Sequence, residues 1–406
     1  MDKIEKVGMV GMGKLGIPVS LAIESKGYEV HGSDVNPDVQ KYLDERKIPY
    51  EERGLQPLLD GTEVTLIDNG QIVEESDLVF VAVQTPHDPE YEGVTRLPDK
   101  RVDFDYRRLV DVVAELSKTA AELDKETIIA VISTCLPGTY EREIKPLLND
   151  YVDFIYAPQF IAMGNVVEDY LHPEFNLIGH DHRPDTAERM VEFYGTINDA
   201  PPMVTDVTTA EAIKVSYNTF ITSKIVLANL WGEIAHKTGA NVDDIFKAWS
   251  LSEKRLLSDK YLRAGLGDGG GCHPRDNIAL SHLAREIDLS NDFFETLMLA
   301  RESHLEWLGS IAEGYGGRIV ILGKSFKPET NIETGSPSRL IHNIMSETGN
   351  PEIYEDMDFD EPCTVIIGTQ HERYKDIKFP PGSVVIDPHG IIQDQDGVKV
   401  IRIGRK

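Results

Sequence analysis

Positive charge is scarce in this chain. Its 406 residues carry 41 lysines and arginines against 69 aspartates and glutamates, a formal net charge of −28. Nucleic-acid phosphates repel such a surface, as do anionic membrane faces, so neither is expected as a partner. An anionic substrate would need a local basic pocket. Cysteine is scarcer still. Cys135, Cys272 and Cys363 are too few for a disulfide scaffold and suit a reducing, cytoplasmic setting. No apolar run reaches membrane-spanning length, and residues 1–6 lack the apolar core of a signal peptide. Internal repeats and low-complexity tracts are missing, and no metal is assigned. What is present is an ordinary globular composition, 41% hydrophobic and 27% charged, long enough for two or three domains.

Glycine is concentrated where it can do chemistry. Gly265, Gly267, Gly269, Gly270 and Gly271 crowd in front of Cys272, and Pro274 and Asp276 follow. Glycine lets a ligand approach the backbone, and Pro274 suits the first turn of a helix. Ile278, Leu280, Leu283 and Ile287 continue at roughly helical spacing. Cys272 is therefore expected where a glycine loop becomes a helix. The positive end of the helix dipole there favours an anion, so the thiol can act as a thiolate nucleophile. Asp276, four residues on, would share a face with the sulfur.

Near the amino terminus a buried strand over residues 7–10 runs into Gly11-Met12-Gly13-Lys14-Leu15-Gly16, then a helical pattern, then a second strand ending in Asp34. Strand, glycine turn, helix, strand and acid make the complete dinucleotide fingerprint. Gly11 permits the tight turn, Gly13 the approach of a pyrophosphate, and Gly16 close helix–strand packing. Asp34, 18 residues after Gly16, is placed to hold an adenosine ribose. Its charge repels a 2′-phosphate, so NAD is expected rather than NADP. Two further apolar strands run into Thr85-Pro86 and Ser133-Thr134, at the carboxyl ends where open α/β sheets bind ligands.

Residues 208–237 form a long, largely buried helix in this reading, with Lys214 and Asn218 on one face. A lysine amid apolar surface needs a partner or a task, and desolvation lowers its pKa. Helices over residues 242–257 and 293–314 flank the glycine loop. The last stretch reads as α/β again, with strands at 318–323, 363–368 and 383–387, but without a full glycine fingerprint. Lys324 and Lys327 offer positive charge there. The expected architecture is α/β: a dinucleotide domain over residues 1–200, a central all-α domain over 201–314, and a second Rossmann-like domain over 315–406, each Rossmann-like domain with a parallel sheet.

In their shared order these features resemble the nucleotide-sugar 6-dehydrogenases, the family of UDP-glucose, UDP-N-acetylmannosamine and GDP-mannose dehydrogenases. The resemblance adds Pro137-Gly138-Thr139, Ser325-Phe326-Lys327-Pro328 and Ser336-Pro337 to the motifs above. It implies oxidation of a sugar primary alcohol twice, giving a uronic acid and two NADH. Cys272 would capture the aldehyde as a thiohemiacetal, and water would cleave the resulting thioester. Lys214 and Asn218 would hold the oxyanion, while Asp276, Thr134 and Gln159 would organise the water. Gly11, Gly13, Lys14, Leu15, Gly16, Asp34, Thr85, Pro86 and Thr134 would hold NAD. Phe160, Ile161, Gly267, Gly269, Gly270, Phe326 and Lys327 would join Lys214 and Asn218 around the substrate. The long helix would form much of a homodimer interface.

The chain also departs from the family pattern. Gln159 replaces the usual glutamate, and Met163 stands where the UDP-glucose branch carries a second one. Asp268, Arg275 and Thr334 are further departures. Two other readings stay open. One is a two-electron 3-hydroxyacid dehydrogenase. The other is a nucleotide-sugar binding protein with impaired thioester hydrolysis.

Overall fold

The structure, a computed structural model, describes residues 3–85, 102–181, 183–258, 264–266, 273–328, 330, 332–333, 335–356 and 358–405; side chains at 229, 273, 275, 276 and 279 lie outside that description. The chain separates into two compact units, residues 1–223 and 224–406.

The first unit is built on an eight-stranded sheet. Its strands are β1 (Lys6–Val10), β2 (Glu29–Ser33), β3 (Thr65–Leu66), β4 (Leu78–Val81), β5 (Thr127–Val131), β6 (Val152–Tyr156), β7 (Asn176–His180) and β8 (Pro202–Asp206). They lie in the order β3-β2-β1-β4-β5-β6-β7-β8. The first six are parallel, in the doubly wound order of a dinucleotide-binding sheet. β7 turns the direction, pairing antiparallel to β6 through Ile155↔His180 and Tyr156↔Gly179. Every residue of β4 and β5 is buried, as expected for central parallel strands covered on both faces. Helix Gly16–Glu24 is buried from Gly16 through Ile23 and packs with Val7, Met9 and Phe80 in one apolar layer. Helix Arg107–Glu122 shows the other pattern. Leu109, Val113, Leu116 and Ala120 recur at helical spacing and seal the opposite face of the sheet.

The long helix spans Val207–Thr238. Burial is confined to part of it. Ala210, Glu211 and Lys214 are buried in its first turns, but Phe220, Ile221, Ile225 and Val226 are 41–55% exposed. The expectation of a largely buried helix is therefore corrected. Its apolar spacing marks a face that packs on the sheet only at the beginning.

The second unit carries helices Val242–Ser250, His273–Glu286, Phe293–Tyr315 and Pro337–Met345, with strands β9 (Ile319–Leu322), β10 (Glu352–Tyr354), β11 (Thr364–Ile367), β12 (Val384–Asp387) and β13 (Lys399–Arg402). The helix expected over residues 242–257 stops at Ser250. Beyond it the Ser252 carbonyl gathers the N–H groups of Arg255, Leu256 and Leu257 into turns. The sheet order is β10-β9-β11-β12-β13, and every pair is parallel. The order reverses between β9 and β11, the point where open α/β sheets take ligands. Ser336 opens helix Pro337–Met345, accepting the Arg339 N–H at 3.4 Å, with Pro337 in the first turn. The α/β architecture, with two mainly parallel sheets and a long helical stretch between them in sequence, is as the motifs implied.

Candidate functional site

The first cluster sits at the carboxyl edge of β1 and β2. Gly11 leaves β1 with φ +96°, and its N–H donates to Ser33 O at 2.8 Å, drawing the glycine turn against β2. A Cβ on Gly16 would lie 1.9 Å from Gly11 O, so this position admits no side chain. Gly13 has open space around it. Asp34 closes the far side. Its Oδ2 accepts the Met12 N–H and its Oδ1 the Asn36 N–H, both at 2.7 Å. Each oxygen keeps a further lone pair. Gly11, Gly13, Lys14 and Asp34 line one cleft of about 500 Å³, together with Val83 and Gln84 beyond β4. Leu15 precedes the helix and turns its side chain into the core.

Other residues of this cleft were not singled out in the sequence. Tyr50 and Asn69 line it, and the Tyr50 hydroxyl and Asn69 Oδ1 are buried with no hydrogen-bond partner among the described residues. Burial raises the Tyr50 pKa, so the phenol stays protonated. Buried polar atoms without partners are costly. A bound adenosine, with its amine and hydroxyls, would satisfy them. The cleft thus fits NAD on its own atoms. The glycine turn and helix start suit the pyrophosphate, and Asp34 suits the ribose.

The second cluster lies at the next strand ends. Thr85 Oγ1 donates to Thr134 O at 3.2 Å, and Ser133 Oγ donates to Val83 O at 2.5 Å. These bonds tie the exits of β4 and β5 together. Glu211, which the sequence reading also passed over, supports them from the long helix. It is 1% exposed, and its carboxylate accepts the N–H groups of Gly138 at 2.6 Å and Tyr140 at 2.7 Å. Burial still raises its pKa against those bonds. An acid three residues before the singled-out lysine was the available signal.

Lys214 anchors the third cluster. Its Nζ donates to Gln159 O at 2.7 Å and lies 4.9 Å from the centre of the Phe160 ring. Phe160 is wedged between Phe175 and Tyr217, with centroids at 4.7 and 4.6 Å. Burial lowers the Lys214 pKa. Phe160, Ile161, Lys214 and Asn218 line one pocket of about 320 Å³. Gln159 contributes differently. Its amide nitrogen donates to Ala157 O at 2.9 Å and to the Tyr194 hydroxyl at 3.1 Å, leaving Oε1 as its remaining acceptor. Met163 is exposed.

In the second unit, Phe326 and Lys327 follow β9 at the reversal of the strand order, with Lys327 Nζ 5.3 Å from the Phe326 ring centre. Pro86, Gly267, Gly269, Gly270 and Cys272 lie outside the described residues. Asp276 belongs to helix His273–Glu286, but its side chain is not described. The residues entering the glycine loop are held. Ala264 O accepts from Arg405 at 2.9 Å, and Gly265 O from His304 at 3.4 Å.

Residues 5–198 match the model of the UDP-glucose/GDP-mannose dehydrogenase family's NAD binding domain, and residues 208–302 match that family's central domain. The chain belongs to this family. It is an NAD-dependent dehydrogenase that oxidises sugar nucleotides. Among its relatives is the UDP-glucose 6-dehydrogenase of Rhizobium meliloti, 29% identical over 364 residues, 85% of this chain and 79% of that one. Another is the GDP-mannose 6-dehydrogenase of Pseudomonas aeruginosa, 28% identical over 346 residues, 82% of this chain and 76% of that one. The fold is shared with a ternary complex of GDP-mannose dehydrogenase from Pseudomonas aeruginosa, with a TM-score of 0.85 at 23% identity, covering 97% of this chain and 99% of that one. A UDP-glucose dehydrogenase from Pyrobaculum islandicum gives a TM-score of 0.55 at 22% identity, covering 98% and 97%.

Proposed function

We propose that this dehydrogenase oxidises the C6 primary alcohol of a UDP sugar to the acid, in two steps joined by a covalent intermediate on Cys272. The observation that carries the reading is Lys214. It is a buried cation at the carboxyl edge of the sheet, fixed by Gln159 O in a pocket with Phe160 and Asn218. In the first step the alcohol loses its proton and a hydride and becomes an aldehyde. The Cys272 thiolate then adds to the aldehyde carbon, and the oxygen takes up a proton to give a thiohemiacetal. Loss of that proton and of a second hydride leaves a thioester, and water adds to its carbonyl and displaces the sulfur as the Cys272 thiolate to release the acid. NAD, when bound, accepts each hydride. Lys214 and Asn218 stabilise negative charge on the substrate oxygen. Asp276, Thr134 and the free acceptor of Gln159 orient the attacking water. Phe326 and Lys327 hold the nucleotide.

Cys135 and Cys363 are buried, and burial raises both thiol pKa values, which suits neither to nucleophilic work. Three domains divided near residues 200 and 314 remain part of this reading. So does a homodimer formed along the exposed apolar stretch of the long helix. The test is a panel of UDP and GDP sugars assayed for NADH, with products weighed by mass spectrometry. Two NADH per sugar acid are expected, with none from Cys272→Ala. One NADH with free aldehyde, or activity surviving Cys272→Ala, overturns the mechanism. A sugar thioester accumulating on Cys272 would favour the binding protein with impaired hydrolysis, a reading that Gln159 supports because it cannot take a proton from water.

A further inference from the structure

A buried histidine that the reaction does not use stands beneath the loop that follows β9. His371 is 1% exposed, in the segment after β11, and lies beside the reversal of the strand order in the second sheet. Arg373 Nη1 lies 3.1 Å from His371 Nδ1. A guanidinium only donates, so Nδ1 accepts and the ring proton resides on Nε2. That N–H faces two acceptors at 3.0 Å, Ser325 Oγ and Glu355 Oε1. Arg373 Nη2 also donates to Glu355 Oε1, at 2.7 Å.

Two of these groups, Glu355 and Ser325, then hold the loop backbone itself. Glu355 Oε2 accepts the Lys324 N–H at 2.8 Å. Ser325 Oγ, accepting the histidine N–H, donates its own hydrogen to Lys327 O at 2.9 Å. Thr369, also after β11, donates to Ser325 O at 2.7 Å. Ser325 and Thr369 are 1% and 3% exposed. The backbone of residues 324–327 is thus fixed from beneath, while Phe326 and Lys327 stay accessible above it. Such a network is strong only when every member is satisfied. Packing alone would not call for a neutral imidazole in one tautomer here.

We propose that His371 is a positioning residue for nucleotide recognition, and that Arg373 and Glu355 set its tautomer and orientation. Through Ser325 it holds Phe326 and Lys327 in the arrangement that receives the base and diphosphate of the substrate. The proposal rests on the nucleotide role given above to Phe326 and Lys327.

The experiment titrates UDP and GDP into the full-length wild-type protein and its variants by calorimetry, and measures NADH affinity and steady-state kinetics in parallel. His371→Ala is expected to weaken binding of the preferred nucleotide and raise KM for the sugar nucleotide at least tenfold. kcat at saturation and NADH affinity should stay within about twofold. His371→Gln, which restores a donor near Nε2, recovers most of the loss. Arg373→Met shifts the same two quantities in the same direction by a smaller factor, and serves if His371→Ala does not fold. A folded His371→Ala or Arg373→Met with wild-type nucleotide affinity and KM overturns the proposal. So does a loss confined to kcat, or a wild-type protein that binds neither nucleotide. Nucleotide binding is read without turnover, so failure of the Cys272 mechanism would show separately, as activity surviving Cys272→Ala.

Discussion

Gly13 and Gly16 are one turn apart and fail in different ways when substituted. A methyl at Gly16 meets Gly11 O at 1.9 Å, whereas at Gly13 it meets nothing within 4 Å. Gly16→Ala must therefore push the turn off β1 and lower the melting temperature. Gly13→Ala should melt like the wild type and still lose NAD affinity by an order of magnitude or more, because the new methyl occupies the space the pyrophosphate needs. Thermal melts paired with NADH titration separate the two, and equal melting losses would refute the distinction. Lys214 gives a pH prediction. Its folded pKa lies below the ordinary 10.5 because burial penalises the ammonium. The unfolded chain therefore holds its proton to higher pH than the folded one. Below the folded pKa the buried charge costs stability, and the cost fades as pH rises from that value to 10.5. In the proposed mechanism activity follows the opposite course, since an oxyanion held by Lys214 needs the charge. kcat/KM should fall on an alkaline limb centred below 10.5, and Lys214→Arg should remove that limb while retaining part of the rate. An unchanged limb in Lys214→Arg would assign the titration to another group.

Helices in this fold depend on what meets their ends. Helix Asn69–Glu75 starts with a capping box between Asp68 and Gln71. At its other end Lys125 Nζ donates to Val73 O at 2.8 Å, Glu74 O at 2.6 Å and Ser76 O at 2.9 Å. A cation suits a helix carboxyl end, and this one also fixes the entry into β4, whose exit carries Gln84 and Thr85. Lys125→Met keeps the stem and removes the three bonds. It should cost about 2 kcal/mol, within the usual range for hydrogen bonds to a charged group, read as a lower urea midpoint with an unchanged slope. A loss under about 0.5 kcal/mol would show the carbonyls content with water. The long helix makes the complementary point. Its first turns supply Glu211 and Lys214 to two clusters on the first sheet, its middle turns present Phe220, Ile221, Ile225 and Val226 outward, and Leu230, Ile234 and Ala235 are buried again near its end. One periodic pattern therefore serves packing at both ends and an exposed face between them.

The whole molecule carries a net charge of −28. Self-repulsion of that size opposes compaction and is screened over about 10 Å at 0.1 M salt. The melting temperature should therefore rise as sodium chloride goes from about 0.05 M to 0.5 M, over which the screening length shrinks severalfold. It should rise more steeply than for a neutral protein of this size. A flat or falling curve would mean that local ion pairs outweigh the overall field. The same field repels a nucleotide diphosphate, so in its proposed role exposed Lys327 works against the background, and any substrate KM should ease with salt before ionic competition sets in.

Local chemistry announced much of this protein. The fingerprint from Gly11 to Asp34, the apolar runs of β4 and β5, and the singled-out pair Lys214 and Asn218 were legible because each needs only short-range rules. These are strand periodicity, glycine at a forced turn, and helical spacing. Strands β3, β7, β8, β10 and β13 were not anticipated. They are short or lie toward sheet edges, where neighbours rather than composition decide pairing. The antiparallel turn at β7 has no local signature. Tyr50, Asn69 and His371 became visible only through burial, since an orphaned hydroxyl or a histidine with a fixed tautomer is defined by residues distant in sequence. The spacing of the long helix placed apolar side chains on a face. Only the tertiary packing, with the sheet against its first turns and a helical cluster around Leu230 and Ile234 near its end, determined how much of that face meets water.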